Sequence, residues 1–476
     1  MSRSVPMFVA GEWLFTDATE PNTNPATGEI LDHICQADES ACERAIVKAQ
    51  QAFQRMRLQP AHTRANTCTR IADLLRERSD DMAEMISGES GKPIRFARGE
   101  VERAIFTFRL GAEQAGMMSE GRPVSLDRFQ TGAGRRGWMR RFPIGPVFAL
   151  SPFNFPLNLT AHKLAPAFAC GCPVLLKPSP YTPQTCLLLA KICEDAGIID
   201  GALSVLPCSI PRAEALARDE RFKAITFTGS AKVGWHLKNL AGRKRVMLEL
   251  GNNSANVVHS DAKDMDFVVD RLAIGGFAAA GQICIKVQRL YVHRPSFELF
   301  AARFIEAVRM LKTGDPFDDD TVVGPMISEA AAERVEKWIS AAVGRGARVL
   351  TGARRKGVYV EPTVLTNVPF DDPCVQDEVF GPVVILEPYD TFEQVIEAVN
   401  STPFGLQAAL FTQDVSRIFQ AFDQLEVGGL IVNDYSAFRV DNMPYGGVKA
   451  SGFGREGLEE SMLEMTEPRL LVLNTP

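Results

Sequence analysis

The sequence predicts an α/β protein whose parallel sheets are covered by helices. Short, apolar, β-rich runs alternate with helical patterns over two long stretches, residues 138–250 and residues 256 to about 432. Alternation of this kind is typical of doubly wound α/β domains. Because the chain has 476 residues, we expect two or three domains with substantial hydrophobic cores.

The composition indicates an ordinary globular protein and argues against several kinds of partner. Apolar residues make up 46% of the chain and charged residues 23%, and the formal net charge is -6. That charge argues against nucleic acid or an anionic membrane as the main partner. The start, MSRSVPMFVAGEW, lacks the apolar core of a signal peptide, and no run approaches the roughly 18 apolar residues of a membrane span. We therefore expect a cytoplasmic protein.

The ten cysteines do not follow a metal-binding pattern. No CxxC pair occurs, and Cys170 and Cys172, which lie closest together, have no His or Cys at zinc spacing. In a reducing cytoplasm we expect most of the ten to be free thiols. Cys284 differs from the others because the small residues of FAAAGQIC leave room beside its sulfur. It is either a small buried hydrophobe, as free cysteines usually are, or a nucleophile that a substrate must reach.

The first 118 residues predict short strands followed by long helices. Residues 1–31 are rich in turn-forming Gly, Pro, Asn and Thr, as in EPNTNPATGE. Apolar residues then recur at helical spacing in Glu39–Met56, Ala61–Ser87 and Ile94–Met118.

The first α/β stretch places polar residues where its predicted strands end. The strand-like runs are PVFALSP, PVLLKPSP, ALSVLP, KAITFTGS and RVMLELG, and helical patterns at Thr160–Phe168, Thr182–Ala196, Pro211–Ala217 and Ala231–Leu240 lie between them. Ligands of doubly wound sheets bind beyond the carboxyl ends of the strands. The polar residues there are Ser151 to Asn154, Lys177 to Pro180, Thr228 to Ser230, and Glu249.

The second stretch predicts another α/β domain. Its helical patterns are Asp264–Gly281, Phe297–Leu311, Glu329–Gly344 and Phe392–Asn400, and its strand-like runs are LYVH, ARVL, PVVILE, AALFT and GGLIVN. The glycine-rich PYGGVKASGFGREG then precedes a final strand-like segment, Arg469–Asn474.

Two glycine patterns are candidates for a phosphate-binding loop. GAGRRG, residues 132–137, matches GxGxxG, but no strand precedes it, prolines prevent a following helix, and no acidic residue follows at the required distance. We interpret it as a hairpin turn. Gly229, Ser230 and Gly234 fit better, because a strand ends and a helix begins there, so backbone N–H groups could hold a pyrophosphate. The alternative is an ordinary turn capped by Ser230.

Together the motifs resemble the aldehyde dehydrogenase superfamily. SPFNFP, LLKPSP, FTGS, LELG, GQIC, EVFGPV and PYGGVKASGFGRE occur in that family's order and approximate spacing across the whole chain. NLTAHKLAP and FRVDNMPYGGVK are similar to the branch that contains lactaldehyde and phosphonoacetaldehyde dehydrogenases. The resemblance implies a Rossmann-like cofactor domain (1–118 and 141–250), an α/β catalytic domain (251–452) and a small β oligomerisation element (119–140 and 453–476). It also implies a homodimer or homotetramer.

The resemblance implies catalytic roles for three residues. Cys284 would attack the aldehyde carbonyl as a thiolate. The Asn154 amide and the Cys284 backbone N–H would stabilise the oxyanion. Glu249 would activate the water that hydrolyses the thioester, and its presence favours a free acid over transfer to coenzyme A. From the residues alone, Glu249 could equally be a solvated carboxylate and Asn154 a turn amide.

The resemblance also implies a site for NAD or NADP. The cofactor-binding residues would be Ser151, Phe153, Lys177, Ser179, Pro180, Gly229, Ser230, Gly234, Leu250, Glu378 and Phe380. Pro180 stands where NAD-preferring members often carry Glu, so a 2′-phosphate beside Lys177 would meet less repulsion. We therefore expect NADP, or both cofactors, to be used. Asn252 replaces a usual glycine, which puts the fit near the nicotinamide in question although Asn tolerates unusual backbone angles.

The substrate tunnel implied by the resemblance would be lined by Asn158, His162, Ile283, Ile285 and Phe438. Arg103 or Arg109 could also reach in. His162 and an arginine suit an anionic or hydroxylated small aldehyde, whereas Ile283 stands where phosphonate-binding members tend to carry Arg and favours a less charged one. Two other functions stay open, namely a cysteine-dependent esterase or hydrolase and a catalytically silent structural protein.

Overall fold

The computed structural model describes residues 3–118 and 120–474 and is of the α/β class. The helices are α1 (Glu39–Met56), α2 (Ala61–Glu77), α3 (Ser79–Ser90), α4 (Ile94–Gln114), α5 (Asn158–Cys170), α6 (Pro183–Asp195), α7 (Ile210–Arg218), α8 (Ala231–Leu240), α9 (Met265–Phe277), α10 (Arg294–Arg309), α11 (Glu329–Gly344), α12 (Pro373–Gln376), α13 (Phe392–Asn400), α14 (Val415–Gln424) and α15 (Leu458–Glu464). Short 3₁₀ helices cover Ala115–Met118, Gln130–Gly132 and Ala278–Gly281.

The strands are short, and most of them belong to two large sheets. They are β1 (Ser4–Val5), β2 (Met7–Val9), β3 (Glu12–Leu14), β4 (Thr19–Thr23), β5 (Ile30–Cys35), β6 (Gly121–Val124), β7 (Arg135–Pro143), β8 (Val147–Leu150), β9 (Val174–Lys177), β10 (Leu203–Val205), β11 (Ala224–Thr228), β12 (Arg245–Glu249), β13 (Ala255–Val258), β14 (Arg289–His293), β15 (Arg348–Thr351), β16 (Arg355–Lys356), β17 (Tyr359–Val360), β18 (Thr363–Thr366), β19 (Val383–Tyr389), β20 (Phe404–Gly405), β21 (Gln407–Phe411), β22 (Gly429–Val432), β23 (Val448–Lys449), β24 (Gly452–Phe453) and β25 (Thr466–Asn474).

The first large sheet has the order β24-β12-β11-β8-β9-β10-β2-β3. The five strands from β12 to β10 are parallel to one another, as the alternation of strands and helices predicts. The register places Leu150 opposite Lys177 and Thr228 opposite Glu249. The carboxyl ends of these four strands therefore meet at one edge of the sheet, where the sequence predicts a ligand site.

The second large sheet has the order β15-β18-β19-β14-β13-β21-β22, and only β15 is antiparallel to its neighbour. A smaller sheet, β25-β7-β6, contains the GAGRRG run in the connection from β6 to β7 and in the start of β7. The hairpin interpretation of that run is therefore confirmed. The division of the chain into three domains stays a prediction.

Helix α5 lies between helices and sheet, and every one of its residues is buried. It packs against α2 and α4 on one side and against α15 on another. A helix that is buried all round has no solvated face on which charged residues can sit. Its polar residues Asn158, His162 and Lys163 must therefore find partners inside the protein.

The structure differs from the predicted helices at several places. The segment Ala61–Ser87, predicted as one helix, is two, because the chain turns at Arg78 (φ −114°, ψ 27°) between α2 and α3. Helical spacing continues across the turn since both helices face one core. The helix predicted to reach Gly281 ends at Phe277, and α14 and α15 were not predicted. No helix within the described residues has the length and apolar character needed to span a membrane.

Candidate active site

Cys284 is the most accessible of the ten cysteines, since the other nine are buried. It follows the 3₁₀ turn Ala278–Gly281, in which Ala279 (φ 50°) and Ala280 (φ 56°) adopt left-handed backbone angles. The Gln282 side chain anchors this loop by accepting a hydrogen bond from the Ile327 N–H at 2.9 Å. The small residues before Cys284 therefore form a tight turn that presents the sulfur to open space.

Cys284, Asn154 and Glu249 line one cavity of about 750 Å³. Asn154 is tied to the cysteine loop because its Nδ2 donates to the Gln282 carbonyl at 2.9 Å. A side-chain amide has two N–H hydrogens, so the second remains for a ligand oxygen. The three residues assigned catalytic roles from the sequence thus face a common space, and their roles stay predictions.

Glu249 ends β12 and is nearly inaccessible to solvent. Its Oε2 is buried and has no hydrogen-bond partner within the described residues. Burial, and then the nearby Glu456 carboxylate, raise the pKa of Glu249 well above its usual value, although Arg439 and Lys163 oppose this. The surroundings of Glu249 therefore favour the protonated form of its carboxyl more than water does.

A group of buried charges lies behind Glu249. Lys163 of α5 donates from Nζ to the Thr228 hydroxyl at 2.7 Å and lies 3.5 Å from Glu456 Oε2. Arg439 donates from Nη2 to Glu456 Oε1 at 2.7 Å. Burial alone would raise the pKa of Glu456, but Lys163 and the other cations around it lower that pKa to about 2. Glu456 is thus the charged member of the two carboxyls.

Most of the predicted cofactor-binding residues line the same 750 Å³ cavity, a volume within the usual range for cofactor sites. These are Ser151, Phe153, Lys177, Ser179, Pro180, Gly229, Ser230, Leu250, Glu378 and Phe380. Gly234 lies beneath the cavity wall, where a Cβ would collide with the Leu250 side chain. Ser230 precedes α8 and forms no side-chain capping bond, so its hydroxyl is available to a ligand.

Lys177 and Glu378 carry the charges expected of a dinucleotide site. Lys177 Nζ donates to the Pro178 carbonyl at 3.1 Å and forms no ion pair within the described residues. Glu378 Oε1 accepts from the Asn252 N–H at 3.0 Å, and burial raises the pKa of Glu378 to about 7. A Cβ on Gly251 would lie 2.5 Å from Glu378 Oε2. The residues present therefore fit a nicotinamide dinucleotide.

Asn252, the departure noted in the sequence, turns its side chain away from this cavity. Its Nδ2 donates to the Ser254 hydroxyl at 2.6 Å, and its Oδ1 accepts from the Leu406 N–H at 3.3 Å. Asn252 is not among the described residues with positive φ. The amide thus joins two segments below the site, and its backbone needs no unusual angle.

A second cavity of about 270 Å³ also reaches Cys284. Of the predicted tunnel residues, Asn158, Ile283 and Ile285 line it, and so does Arg103. The sulfur of Cys284 therefore lies where two cavities meet, one suited to a cofactor and one suited to a substrate.

Three residues expected near the substrate do not line this second cavity. His162 is buried behind it, with Nε2 2.8 Å from Asp441 Oδ1, and burial lowers the pKa of its imidazole. Arg109 is exposed and lies 3.1 Å from Asp73. Phe438 is 37% exposed and lies outside the lining. Arg103 and Arg109 both lie on α4 but point about 240° apart around its axis, and only tertiary packing decides which of the two directions meets the cavity.

The lining of the second cavity contains more basic than acidic side chains. The lysine, arginine and carboxylate residues in the lining are Lys92, Arg95, Arg103, Arg439 and Glu100. Lys92 pairs with Glu100, and Arg103 donates to both carboxylate oxygens of Asp441, at 2.7 and 3.1 Å. Arg95 is exposed and forms no ion pair within the described residues. The cavity therefore has an excess positive charge at Arg95.

Five residues around the site were not predicted from the sequence, namely Lys163, Arg439, Asp441, Tyr445 and Glu456. All five lie in segments that carry the resemblance, namely NLTAHKLAP, FRVDNMPYGGVK and PYGGVKASGFGRE. Those segments could have directed attention to them. Their pairing could not be anticipated, since it joins α5 to residues far along the chain.

Residues 13–471 match the model of the aldehyde dehydrogenase family. The chain is 42% identical to a 3-sulfolactaldehyde dehydrogenase of Priestia megaterium over 98% of each protein. It superposes with a TM-score of 0.98 and 42% identity on aldehyde dehydrogenase 21 from Physcomitrella patens in complex with the reaction product succinate, covering 100% of this chain and 99% of that one.

A glyceraldehyde-3-phosphate dehydrogenase from Methanocaldococcus jannaschii complexed with NADP superposes with a TM-score of 0.92 and 36% identity, over 96% of this chain and 100% of that one. The fold and the family resemblance inferred from the motifs are thereby confirmed. This chain belongs to the aldehyde dehydrogenase family.

Proposed function

We propose that the protein oxidises a small aldehyde bearing an anionic group to the carboxylic acid, with NAD or NADP as the hydride acceptor. One observation carries the proposal, namely that the Cys284 sulfur lies where the 750 Å³ cavity and the 270 Å³ cavity meet. The larger cavity also presents Asn154 and Glu249, and the smaller one presents positive charge at Arg95, which has no ion-pair partner among the described residues.

The first half of the reaction uses Cys284 and Asn154. The Cys284 thiolate adds to the aldehyde carbonyl and forms a thiohemiacetal. The free N–H of the Asn154 amide and the Cys284 backbone N–H stabilise the negative charge on the former carbonyl oxygen. Oxidation of the thiohemiacetal to a thioester needs a hydride acceptor, which nicotinamide would supply when bound. Lys177, Ser230 and Glu378 would hold the cofactor.

The second half uses Glu249. Its carboxylate takes a proton from water, the resulting hydroxide adds to the thioester carbonyl, and the Cys284 sulfur leaves as the acid forms. The raised pKa of Glu249 suits a base that must give the proton up again. A carboxyl that lines the same cavity as the thiol therefore supports hydrolysis to a free acid.

The substrate class follows from charge. The names of the similar proteins include sulfolactaldehyde, succinate and glyceraldehyde-3-phosphate, each of which carries an anionic group. Arg95 lines the second cavity and forms no ion pair within the described residues, so it would attract such a group, whereas Arg103 is already paired with Asp441. On sequence alone Ile283 favours a less charged aldehyde, but Arg95 supplies the positive charge that Ile283 lacks, and we therefore favour an anionic substrate.

The test compares aldehydes matched in size. Succinic semialdehyde and butanal are offered with NAD and with NADP, and NAD(P)H formation is followed by absorbance, with Cys284→Ala as the blank. We expect kcat/KM to be at least about tenfold higher for the semialdehyde, a difference of about 1.4 kcal/mol. Because Lys177 pairs with no carboxylate in the described part of the chain, we expect NADP to be accepted.

A pair of variants tests whether Arg95 supplies the positive charge that binds the anionic group of the substrate. Arg95→Gln should raise KM for the semialdehyde about fivefold, as expected for loss of an exposed ion pair of about 1 kcal/mol. Arg98→Gln is the matched control, because Arg98 lies on the same helix but pairs with Asp319 outside the cavity. Equal effects of the two variants would remove the role of Arg95.

Two other results of this assay would favour the two alternative functions. Ester hydrolysis that needs Cys284, without NAD(P)H from any aldehyde, would favour a cysteine hydrolase. Absence of binding to either cofactor would favour a silent structural protein.

A further inference from the structure

The hydroxyl of Tyr445 lies 3.2 Å from the Cys284 sulfur, within hydrogen-bond distance. Tyr445 is only 4% exposed and packs with Ile285 and Leu406 in a small apolar cluster beside the thiol. A buried tyrosine normally satisfies its hydroxyl with a defined partner. Here the partner is the sulfur that the proposed function makes the nucleophile.

Tyr445 is held in place by the residues around it. Its N–H donates to the Glu456 carbonyl at 2.7 Å, and the Glu456 N–H donates back at 2.6 Å. The Glu456 carboxylate binds Arg439, whose guanidinium lies 3.7 Å from the centroid of the Tyr445 ring. Backbone, carboxylate and cation therefore form one unit that fixes the direction of the hydroxyl.

A cation over the face of a tyrosine ring draws electron density from it. The phenol O–H is then a better hydrogen-bond donor. Arg439 is nearly buried, so water screens this effect little. The ion pair with Glu456 keeps the guanidinium over the ring.

The surroundings of the thiol otherwise disfavour its charged form. Burial raises the pKa of Cys284 to about 11, and the carboxyls of Glu378 and Glu249 also raise it. The hydrogen bond from Tyr445 and the charge of Arg439 lower it. Burial raises the pKa of the Tyr445 hydroxyl above its usual value, so it keeps its proton and can donate. Of the groups that face the sulfur, these two favour a thiolate.

We propose that Tyr445 positions the Cys284 sulfur and donates a hydrogen bond to its thiolate, with Arg439 strengthening that bond from the other face of the ring. The proposal rests on the proposed function, in which Cys284 is the nucleophile. When the thiol loses its proton to solvent, the hydroxyl of Tyr445 directs its own proton toward the sulfur. Tyr445 is thus a positioning residue that acts through Cys284.

The test is Tyr445→Phe, which removes the hydroxyl and keeps the ring beneath Arg439. The rate of alkylation of Cys284 by iodoacetamide is measured against pH, and the labelled residue is identified by peptide mass. We expect the midpoint to rise by about one pH unit, so that alkylation below the midpoint slows about tenfold. Tyr389→Phe is the control, since Tyr389 is also a buried tyrosine but does not line either cavity.

Turnover gives a second readout. The NAD(P)H burst of Tyr445→Phe should slow about tenfold at neutral pH and approach the wild-type rate above the shifted midpoint. A structural defect would lower the burst at every pH and would appear as a lower melting temperature.

An unchanged midpoint, a downward shift, or an equal shift in Tyr389→Phe would overturn the proposal. Failure of the proposed function is distinguished by Cys284→Ala, because undiminished aldehyde oxidation in that variant would remove Cys284 as nucleophile whatever Tyr445 does.

Discussion

Glu249 places a buried carboxyl beside the proposed nucleophile, and one of its oxygens finds no hydrogen-bond partner in the part of the chain that the structure describes. Lys163 and Arg439 both lie near it, but their ion pairs are with Glu456. A carboxyl that is buried without its own cation favours the neutral form. Base catalysis by Glu249 therefore depends on pH, with activity rising as its proton is lost.

Replacement by Gln tests this role. Glu249→Gln should retain a burst of NAD(P)H of about one equivalent per active site, since thioester formation does not need this carboxyl. Steady turnover should fall at least about a hundredfold, as for loss of a general base. Wild-type turnover should increase with pH through a midpoint above the usual carboxyl range. Loss of burst and turnover to the same extent would argue against deacylation by Glu249.

The same variant has a stability signature. Because the folded protein raises the pKa of Glu249, the favourable contribution of the protonated carboxyl is present at low pH and is lost as pH rises through the folded pKa. Glu249→Gln should therefore raise the melting temperature more at pH 8 than at pH 5.

At the scale of single residues, the sequence identified the candidate catalytic residues better than it identified the side chains that contact them. Local features, namely a turn and two strand ends, drew attention to Cys284, Asn154 and Glu249, and the family resemblance implied their catalytic roles. Tyr445 could not be connected with Cys284, because 161 positions separate them. His162 was expected beside the substrate, and tertiary packing instead turns it toward Asp441.

At the scale of an element, the turn before Cys284 contains three consecutive residues with positive φ, Ala279, Ala280 and Gly281. Alanine in this region costs about 1 kcal/mol per residue. Two contacts hold the turn in this conformation. The Ala279 N–H donates to the Val322 carbonyl at 3.0 Å, and Gly281 packs so closely against the Gly381 carbonyl that a Cβ would collide with it. Such strain is typical of functional sites.

Relief of that strain can be measured by chemical denaturation. Ala279→Gly should raise the free energy of unfolding by about 0.5 kcal/mol, since relief of the left-handed angle exceeds the entropy that glycine adds to the unfolded chain. Ala273→Gly, within α9, is the opposite control and should lower it by about 1 kcal/mol or more. A decrease in both variants would show that the turn is not strained.

At the scale of the whole molecule, β25 leaves a row of apolar side chains in solvent. Leu470, Leu471, Val472 and Leu473 are each about half exposed, and Trp138, opposite Leu471 on β7, is 49% exposed. β25 is an edge strand, and successive side chains point to opposite faces, so both faces of this edge are apolar. Exposed apolar patches of this kind mark subunit contacts.

We therefore expect a homodimer or homotetramer that uses this edge. Leu471→Glu combined with Leu473→Glu, on one face of β25, should reduce the molar mass measured by light scattering after size-exclusion chromatography. Leu58→Glu, at another exposed leucine, is the control and should leave the mass unchanged. A monomeric wild-type protein would contradict this expectation.

The sequence by itself determined the α/β class, the order of most strands and helices, and the candidate thiol, amide and carboxylate. Periodicity, turn chemistry and strand ends depend on neighbours along the chain, so they can be read locally. Tertiary structure alone decided that α2 and α3 are separate helices, that Arg103 rather than Arg109 faces the cavity, and that Tyr445, Arg439 and Glu456 surround the sulfur and Glu249. These features depend on contacts between distant segments and on burial, which no local pattern contains.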